Sequence, residues 1–454
     1  MLFRSGLAFA PDAIARGARA VLFDDGAELR ESVPPNVFAA RVPALGEQVG
    51  TIADRFFDAP SSALTIAGIT GTNGKTTCAF VLAQALTLAE RPCAYAGTLG
   101  FGLPGTLRAS SHTTVDAVSV HRQLAELRSL GAECVAMEVS SHALDQGRTS
   151  GVRFHTAAFT NLTRDHLDYH GTMAVYGEAK ARLFALPELT TRVINVDDAF
   201  GAELAARAAA GRLVVTSRRA TLRRATKDFA FVRAARVRTS VRGLSIDVES
   251  TWGVAKVDVP LIGEFNVENV LTVLAVLLAW DLTLAQAVAA LARCTAPSGR
   301  MEAFGGAHEL PLVIVDYAHT PDALGKALHS VRAHCKGRLT VVFGCGGDRD
   351  AGKRPLMGRI AAERADRVVL TDDNPRTEEP AAIVAAIRAG MQTGPAPRID
   401  HDRANAIRTA ISTAGPTDAV LIAGKGHEDY QVYGTERRPF SDQAVVRAAL
   451  GRGA

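Results

Sequence analysis

Short unbroken apolar runs alternate along the chain with stretches whose apolar residues recur every three or four positions. That is the pattern of buried parallel strands separated by helices. The run at residues 64–69 enters a glycine-rich turn, and a helical pattern follows over 76–89. Further buried strands are predicted at 134–139, 156–162 and 192–196. Residues 229–259 instead alternate polar and apolar side chains, which predicts antiparallel strands appended to that sheet, and a strongly apolar helix follows over 267–279. Ala296-Pro297-Ser298-Gly299 interrupts the pattern and reads as the clearest linker. Beyond it, strands at 312–315, 339–343, 367–370 and 418–423 alternate with helices near 322–333, 354–364, 381–391 and 403–413, a second doubly wound α/β unit. At the other end, a helix over 11–19 runs into a strand at 20–23, and the segment up to about residue 62 is too small for a complete domain. The expected division is therefore 1–62, 63–297 and 298–454.

Composition changes this picture little. With 454 residues, 47% of them hydrophobic and 22% charged, the chain can build two or three cores. Lys and Arg number 51 against 47 Asp and Glu, so a formal charge of +4 is thinly spread and no nucleic-acid groove is expected. The six cysteines include no C-x-x-C pair, which fits reduced cytosolic thiols better than disulfides or a zinc site. No signal-peptide pattern opens the chain, and the longest apolar run, residues 270–280, is about half of the roughly 20 residues needed to span a bilayer. A cytoplasmic protein with a buried helix, not a membrane span, is expected.

The sharpest chemistry lies in Thr70-Gly71-Thr72-Asn73-Gly74-Lys75-Thr76-Thr77, between a strand and a helix, where exposed N–H groups and the helix dipole both favour a phosphate. Lys75 would reach the β- and γ-phosphates, and Thr76 would put its hydroxyl on Mg²⁺. The spacing departs from the general phosphate-loop pattern, because Ile69 stands where glycine is usual. Glu138 closes another strand and is a natural Mg²⁺ ligand. The polar run from Asn161 to His170, holding His166, closes a third strand, and strand ends are where such sheets place ligands. Taken singly, each of these is an ordinary loop residue, and Lys180 is an ordinary helix-surface lysine. The stretch Gly344-Cys345-Gly346-Gly347-Asp348-Arg349 lacks the third glycine of a dinucleotide fingerprint and reads as an anion-binding turn.

The motifs Thr-Gly-Thr-Asn-Gly-Lys-Thr-Thr, Met-Glu-Val-Ser-Ser-His, Asn-Leu-Thr-Arg-Asp-His-Leu-Asp-Tyr-His, Gly263-Glu264-Phe265-Asn266 with Asn269, and Gly299-Arg300-Met301-Glu302 occur in this order. In that the chain resembles the Mur ligase family, and within it the branch of UDP-MurNAc-tripeptide synthetases. The resemblance implies an α/β protein of three domains: an N-terminal domain holding the UDP group, a central phosphate-loop ATPase and a C-terminal Rossmann-like domain presenting an amino acid. It implies ATP and Mg²⁺ as cofactors, and UDP-MurNAc-L-Ala-D-Glu and meso-diaminopimelate as substrates, joined through an acyl phosphate by a monomeric enzyme. By the same resemblance Gly71, Thr72, Asn73, Gly74, Lys75, Thr76, Thr77, Asn269, Arg300 and Asp316 contact ATP. Thr76, Glu138, His166 and a carbamylated Lys180 hold the metals, with Lys75, His166 and Lys180 catalytic. Thr113, Thr114, Ser140, Gln146 and Arg148 grip the muramoyl peptide, and Arg349, Asp373, Asn374, Arg376, Gly424 and Glu428 take diaminopimelate.

An arginine beside Asp373, as in residues 373–376, suits diaminopimelate, whose far centre carries both a carboxylate and an ammonium, whereas lysine has no distal carboxylate. A folate-polyglutamylating ligase shares Gly-Thr-Asn-Gly-Lys but typically continues with Gly-Ser and leaves residues 373–376 unexplained. A nicotinamide oxidoreductase lacks its fingerprint, and a non-catalytic nucleotide-binding regulator has no need of Glu138, His166 and Lys180 together. Family members begin with further strands carrying an Asp-Ser-Arg-like uridine signature, so the N-terminal domain is expected to be truncated here.

Overall fold

The computed structural model describes residues 6–25, 33–110, 112–207, 211–219, 229–306 and 309–451. Near the start, Ala20–Phe23 and Phe38–Arg41 pair as parallel strands. The helix Leu45–Phe56 then packs against the helix Ala117–Ser129 of the main sheet. That junction is close: a side chain at Gly50 would run into the Ser150 backbone, and Asp54 Oδ1 lies 3.3 Å from Nδ1 of the fully buried His121.

A ten-stranded sheet follows. Its order is Gly253–Val259, Gly243–Ser250, Ala230–Ser240, Arg212–Ser217, Thr191–Asn195, Thr156–Phe159, Thr65–Thr70, Cys134–Glu138, Cys93–Gly97 and Gly100–Gly102. The strands from Arg212–Ser217 to Cys93–Gly97 are parallel and are buried on both faces. Alternate residues serve the two faces, as the two-residue period of a strand requires. Ala67 and Ile69 join the core formed with the helices Lys75–Leu88 and Asn266–Ala279, while Ile66 points into the core under Ala117–Ser129. The long strand Ala230–Ser240 extends the sheet in parallel and then turns antiparallel through Gly243–Ser250 and Gly253–Val259. One side of these strands faces water, hence the polar and apolar alternation. Asn266–Ala279 is buried nearly all round, which accounts for the longest apolar run. Among the described residues no helix is long and apolar enough to cross a membrane.

The second sheet runs Glu302–Gly305, Leu312–Asp316, Ala419–Ala423, Leu339–Phe343, Arg367–Leu370 and Arg398–Ile399, with only the first strand antiparallel. Helices cover both faces over two separate cores.

Several elements leave little trace in periodicity. Cys93–Gly97 is a short Ala- and Gly-containing strand, and Ala117–Ser129 is a polar helix anchored by four buried residues. The helix expected at 381–391 stops at Arg388. The cysteines, scattered in sequence, are free among the described residues, yet Cys93 and Cys134 lie side by side on neighbouring strands.

Candidate active site

The parallel strands Thr65–Thr70, Cys134–Glu138 and Thr156–Phe159 end on one edge, and the loops that leave them meet there. After Thr70 the backbone turns through Gly71 at φ 149° and Gly74 at φ 85° before the helix Lys75–Leu88 begins. Glycine is required twice over, since a Cβ at Gly71 would strike Thr160 Oγ1 and one at Gly74 would strike Asn269 Oδ1. The neighbouring strand end braces the loop. Thr72 N donates to Asn161 O at 2.8 Å, Asn73 N to Asn161 Oδ1 at 3.0 Å, and Thr160 Oγ1 to Asn73 O at 2.6 Å. Thr163 N donates to Thr72 Oγ1 at 2.9 Å.

Lys75 lies back on its own loop, donating to Gly71 O at 2.9 Å and Thr72 O at 3.0 Å. Burial lowers its pKa; Glu138 and Asp165 oppose the shift, and nearby Arg300 adds to it. Thr76 Oγ1 donates to Glu138 Oε2 at 2.9 Å. Glu138, 1% exposed, also accepts from Tyr95 OH at 2.5 Å and from Thr98 N at 2.9 Å. Thr77 is buried on the same first turn.

Lys180 is not the surface lysine that its place on a helix suggests. It is 1% exposed, donates to Gly71 O at 3.0 Å, and sits 4.4 Å from the Tyr176 ring centre. Burial, with Lys75 adding to it, pushes its pKa down to about 6. His166 adopts φ 52° and is half-exposed, its ring centre 6.0 Å from that of Tyr176 and 4.8 Å from that of His142. Tyr176 therefore neighbours both His166 and Lys180. No group of three or more His, Cys, Asp or Glu residues among the described residues could hold a metal by itself. A Thr76 hydroxyl against the Glu138 carboxylate nevertheless suits Mg²⁺, which takes one or two protein oxygens and completes its shell with phosphate and water.

The residues expected to grip a muramoyl peptide form one connected path from Glu138. Thr113 Oγ1 is 3.0 Å from Thr98 Oγ1, and Thr114 Oγ1 donates to Glu138 O at 2.9 Å and accepts from Ser140 N at 3.2 Å. Ser140 caps a short helix through Ala143 N. Arg148 donates to Thr114 O at 3.0 Å and to Gln146 Oε1 at 2.9 Å.

The second sheet contributes from the far side. Asp316 closes Leu312–Asp316 and accepts from Met301 N at 2.8 Å and Ala318 N at 3.0 Å, while burial raises its pKa. This holds the segment carrying Arg300, whose guanidinium carbon lies 4.9 Å from the Tyr317 ring centre and whose buried Nε has no protein partner. Asn269 is fixed beneath the phosphate loop by Asn266 Oδ1, to which its Nδ2 donates at 2.7 Å.

On the same sheet edge, residues 373–376 meet the loop that follows Ala423. Asn374 Nδ2 donates to Glu428 Oε2 at 2.9 Å, and a Cβ on Gly424 would sit 2.6 Å from Asp373 Oδ2. Arg376, at φ 52°, donates to Gly347 O at 2.7 Å, and both Arg376 and the exposed Arg349 border Gly346. The turn at 344–349 is thus partly committed to protein: Gly347 N also donates to Asn374 O.

Sequence reasoning passed over Tyr95 and Thr98, which donate to Glu138, and over Lys425 and Arg403, two fully buried cations under the 373–376 loop. Lys425 carried one signal, a lysine between two glycines directly after a buried strand.

Known proteins resemble this chain over most of its length. The Mur ligase middle domain matches residues 69–277, and the Mur ligase glutamate ligase domain matches residues 299–426. The UDP-N-acetylmuramoyl-L-alanyl-D-glutamate–2,6-diaminopimelate ligase of Alkalilimnicola ehrlichii is 49% identical over 98% of this chain and 90% of its own length. That of Pseudomonas aeruginosa is 46% identical over the same shares. A solved structure of a ligase with that name superposes with a TM-score of 0.73 at 37% identity, covering 98% of this chain and 89% of the other. Folylpolyglutamate synthase from Mycobacterium tuberculosis shares the fold alone, with a TM-score of 0.63 at 20% identity over 84% of this chain and 92% of its own. With a phosphate loop braced by its neighbouring strand, a second sheet carrying Arg300 toward it, and relatives alike over almost the whole length, the chain belongs to the Mur ligase family.

Proposed function

We propose that this chain is an ATP-dependent ligase that adds meso-diaminopimelate to UDP-MurNAc-L-Ala-D-Glu in peptidoglycan precursor synthesis, working as a monomer in the cytoplasm. Residues 1–62, 63–297 and 298–454 form its UDP-binding part, its ATPase and its amino-acid domain. What carries the proposal is one connected site: Lys75 and Thr76 open the helix after the glycine turn, Thr76 Oγ1 donates to Glu138 Oε2 at 2.9 Å, and Thr114 links Glu138 O to the Arg148 guanidinium.

The γ-phosphate seats over the loop amides of residues 71–76, where Lys75 exchanges its two carbonyl acceptors for phosphate oxygens. A substrate carboxylate, held by Arg148 and the hydroxyls of Thr113, Thr114 and Ser140, attacks the phosphorus, ADP leaves, and an acyl phosphate remains. The amine of diaminopimelate, presented from the 373–376 loop, attacks that carbonyl and releases phosphate. Lys75 and Arg300 offset the charge that accumulates in phosphoryl transfer, the main work of such catalysts. Thr76 and Glu138, with His166 and a carbamate on Lys180, would hold Mg²⁺, which supplies further neutralisation of the phosphates. A low pKa keeps the Lys180 amine unprotonated near neutrality, the form able to take up carbon dioxide. Approach of the second sheet keeps water from the acyl phosphate.

Phosphate release from ATP, measured with UDP-MurNAc-L-Ala-D-Glu and either meso-diaminopimelate or L-lysine, tests the proposal. Release that requires the dipeptide substrate and prefers diaminopimelate is expected. Release with folate and glutamate instead, or none with any acceptor, would reject it.

A further inference from the structure

Beneath the loop at 373–376 lies a lysine that none of the chemistry above uses. Lys425 follows the strand Ala419–Ala423 and is fully buried. Its ammonium donates to Glu428 Oε2 at 3.0 Å and to Asn374 Oδ1 at 3.1 Å, and lies 3.7 Å from Asp373 Oδ1. The Tyr430 ring centre lies 5.4 Å away. Asn374 is held by the same knot, since its Oδ1 also accepts from Val432 N at 3.0 Å and its Nδ2 donates to Glu428 Oε2. Three residues expected to contact the incoming amino acid thus converge on one buried cation.

The charges around it can be counted. Arg403, also fully buried, makes a two-pronged pair with Asp442 at 2.8 Å through Nε and Nη2, and its guanidinium also donates to the carbonyls of Asp372 and Ala423. Arg403 is thereby engaged by Asp442, and Lys425 is the ammonium that both the buried Asp373 and the part-exposed Glu428 share. Two carboxyl groups served by one ammonium favour a ligand that brings another.

We propose that Lys425 is a positioning and specificity residue of the amino-acid subsite, clamping Asn374 and Glu428 and cancelling one carboxylate so that the subsite accepts a single ammonium of its substrate. This rests on the ligase reading above and adds to it the reason the acids keep their places before substrate arrives. Burial already raises the pKa of Asp373, against the pull of Arg403 and Lys425. Loss of Lys425 would remove one of the two cations that oppose that shift, and would free Glu428 and Asn374 to turn.

The test is steady-state kinetics of the full-length enzyme with ATP, UDP-MurNAc-L-Ala-D-Glu and meso-diaminopimelate, each varied in turn, for wild type, Lys425→Met and Lys425→Arg. Lys425→Met should raise KM for diaminopimelate about a hundredfold, the usual scale when one partner of a buried ion pair is removed, while KM for ATP stays within about twofold. Lys425→Arg keeps the charge but not the compact ammonium, and should recover about tenfold of that loss, leaving KM for diaminopimelate about tenfold above wild type. The melting step of the C-terminal unit, followed by scanning calorimetry, reports whether each variant folds. If Lys425→Met does not, Lys425→Arg decides alone, by whether KM rises for diaminopimelate and not for ATP. An unchanged KM for diaminopimelate, or equal losses for all three substrates, would overturn the proposal. A wild-type enzyme inactive with diaminopimelate would instead reject the ligase reading on which it rests.

Discussion

Replacing Lys180 by methionine should make the ligand-free protein more stable. The ammonium of an unfolded lysine titrates at the ordinary 10.5, whereas burial brings Lys180 down to about 6 in the folded chain. At pH 7 the folded state must therefore hold a neutral amine where the unfolded state holds a proton, at a cost of about 5 kcal/mol. Methionine carries no such cost and fills a similar volume. It also leaves no carbonyl orphaned, because Gly71 O keeps Lys75 as a donor at 2.9 Å. Between pH 6 and 10.5 the unfolded chain binds the extra proton, so wild-type stability rises with pH and the variant's advantage shrinks, by about 2.7 kcal/mol from pH 7 to pH 9. For a unit of a few hundred residues each kcal/mol moves the melting temperature by about 2–4 °C. Thermal melts in metal-free, carbon-dioxide-free buffer should then place Lys180→Met about 10 °C above wild type at pH 7 and about half that at pH 9. Carbon dioxide must be excluded because carbamylation would replace the ammonium with an anion. A variant that melts at or below wild type at pH 7, or a gap that does not change with pH, would refute the reasoning.

Other consequences can be measured separately. Gly74→Ala puts a methyl into Asn269 Oδ1 at a position with φ 85°, so ADP binding by calorimetry should weaken at least about tenfold while the second sheet melts as before. Arg376→Ala should raise KM for diaminopimelate far more than KM for lysine, and equal increases would show that the guanidinium does not read a distal carboxylate. Asp442→Asn strands Arg403 in the core and should destabilise the C-terminal unit by about 3–5 kcal/mol, read as an earlier melting step, with ADP affinity little changed.

Much of the architecture could be read from the chain because it is locally encoded. The strand Thr65–Thr70, its glycine turn and the helix Lys75–Leu88 lie where apolar runs, glycines and helical periodicity put them. The same holds for the alternating strands before residue 259 and for the α/β repeat after the linker. Cys93–Gly97 and Ala117–Ser129 escaped, because their burial comes from neighbours distant in sequence rather than from their own pattern.

The candidate site divides along the same line. A glycine turn opening a helix, a glutamate closing a strand and a run of polar residues at a strand end are properties of short segments, and these the residues themselves announce. Whether Lys180 faces water or lies against Gly71, whether Cys93 neighbours Cys134, and whether Lys425 meets Asp373, Asn374 and Glu428 depend on which strands lie side by side. Local sequence determined the strand, turn and helix, because hydrogen bonding and side-chain periodicity act over a few residues. Only the assembled sheets decided which charges are buried and paired, because desolvation and ion pairing depend on neighbours that distant parts of the chain supply.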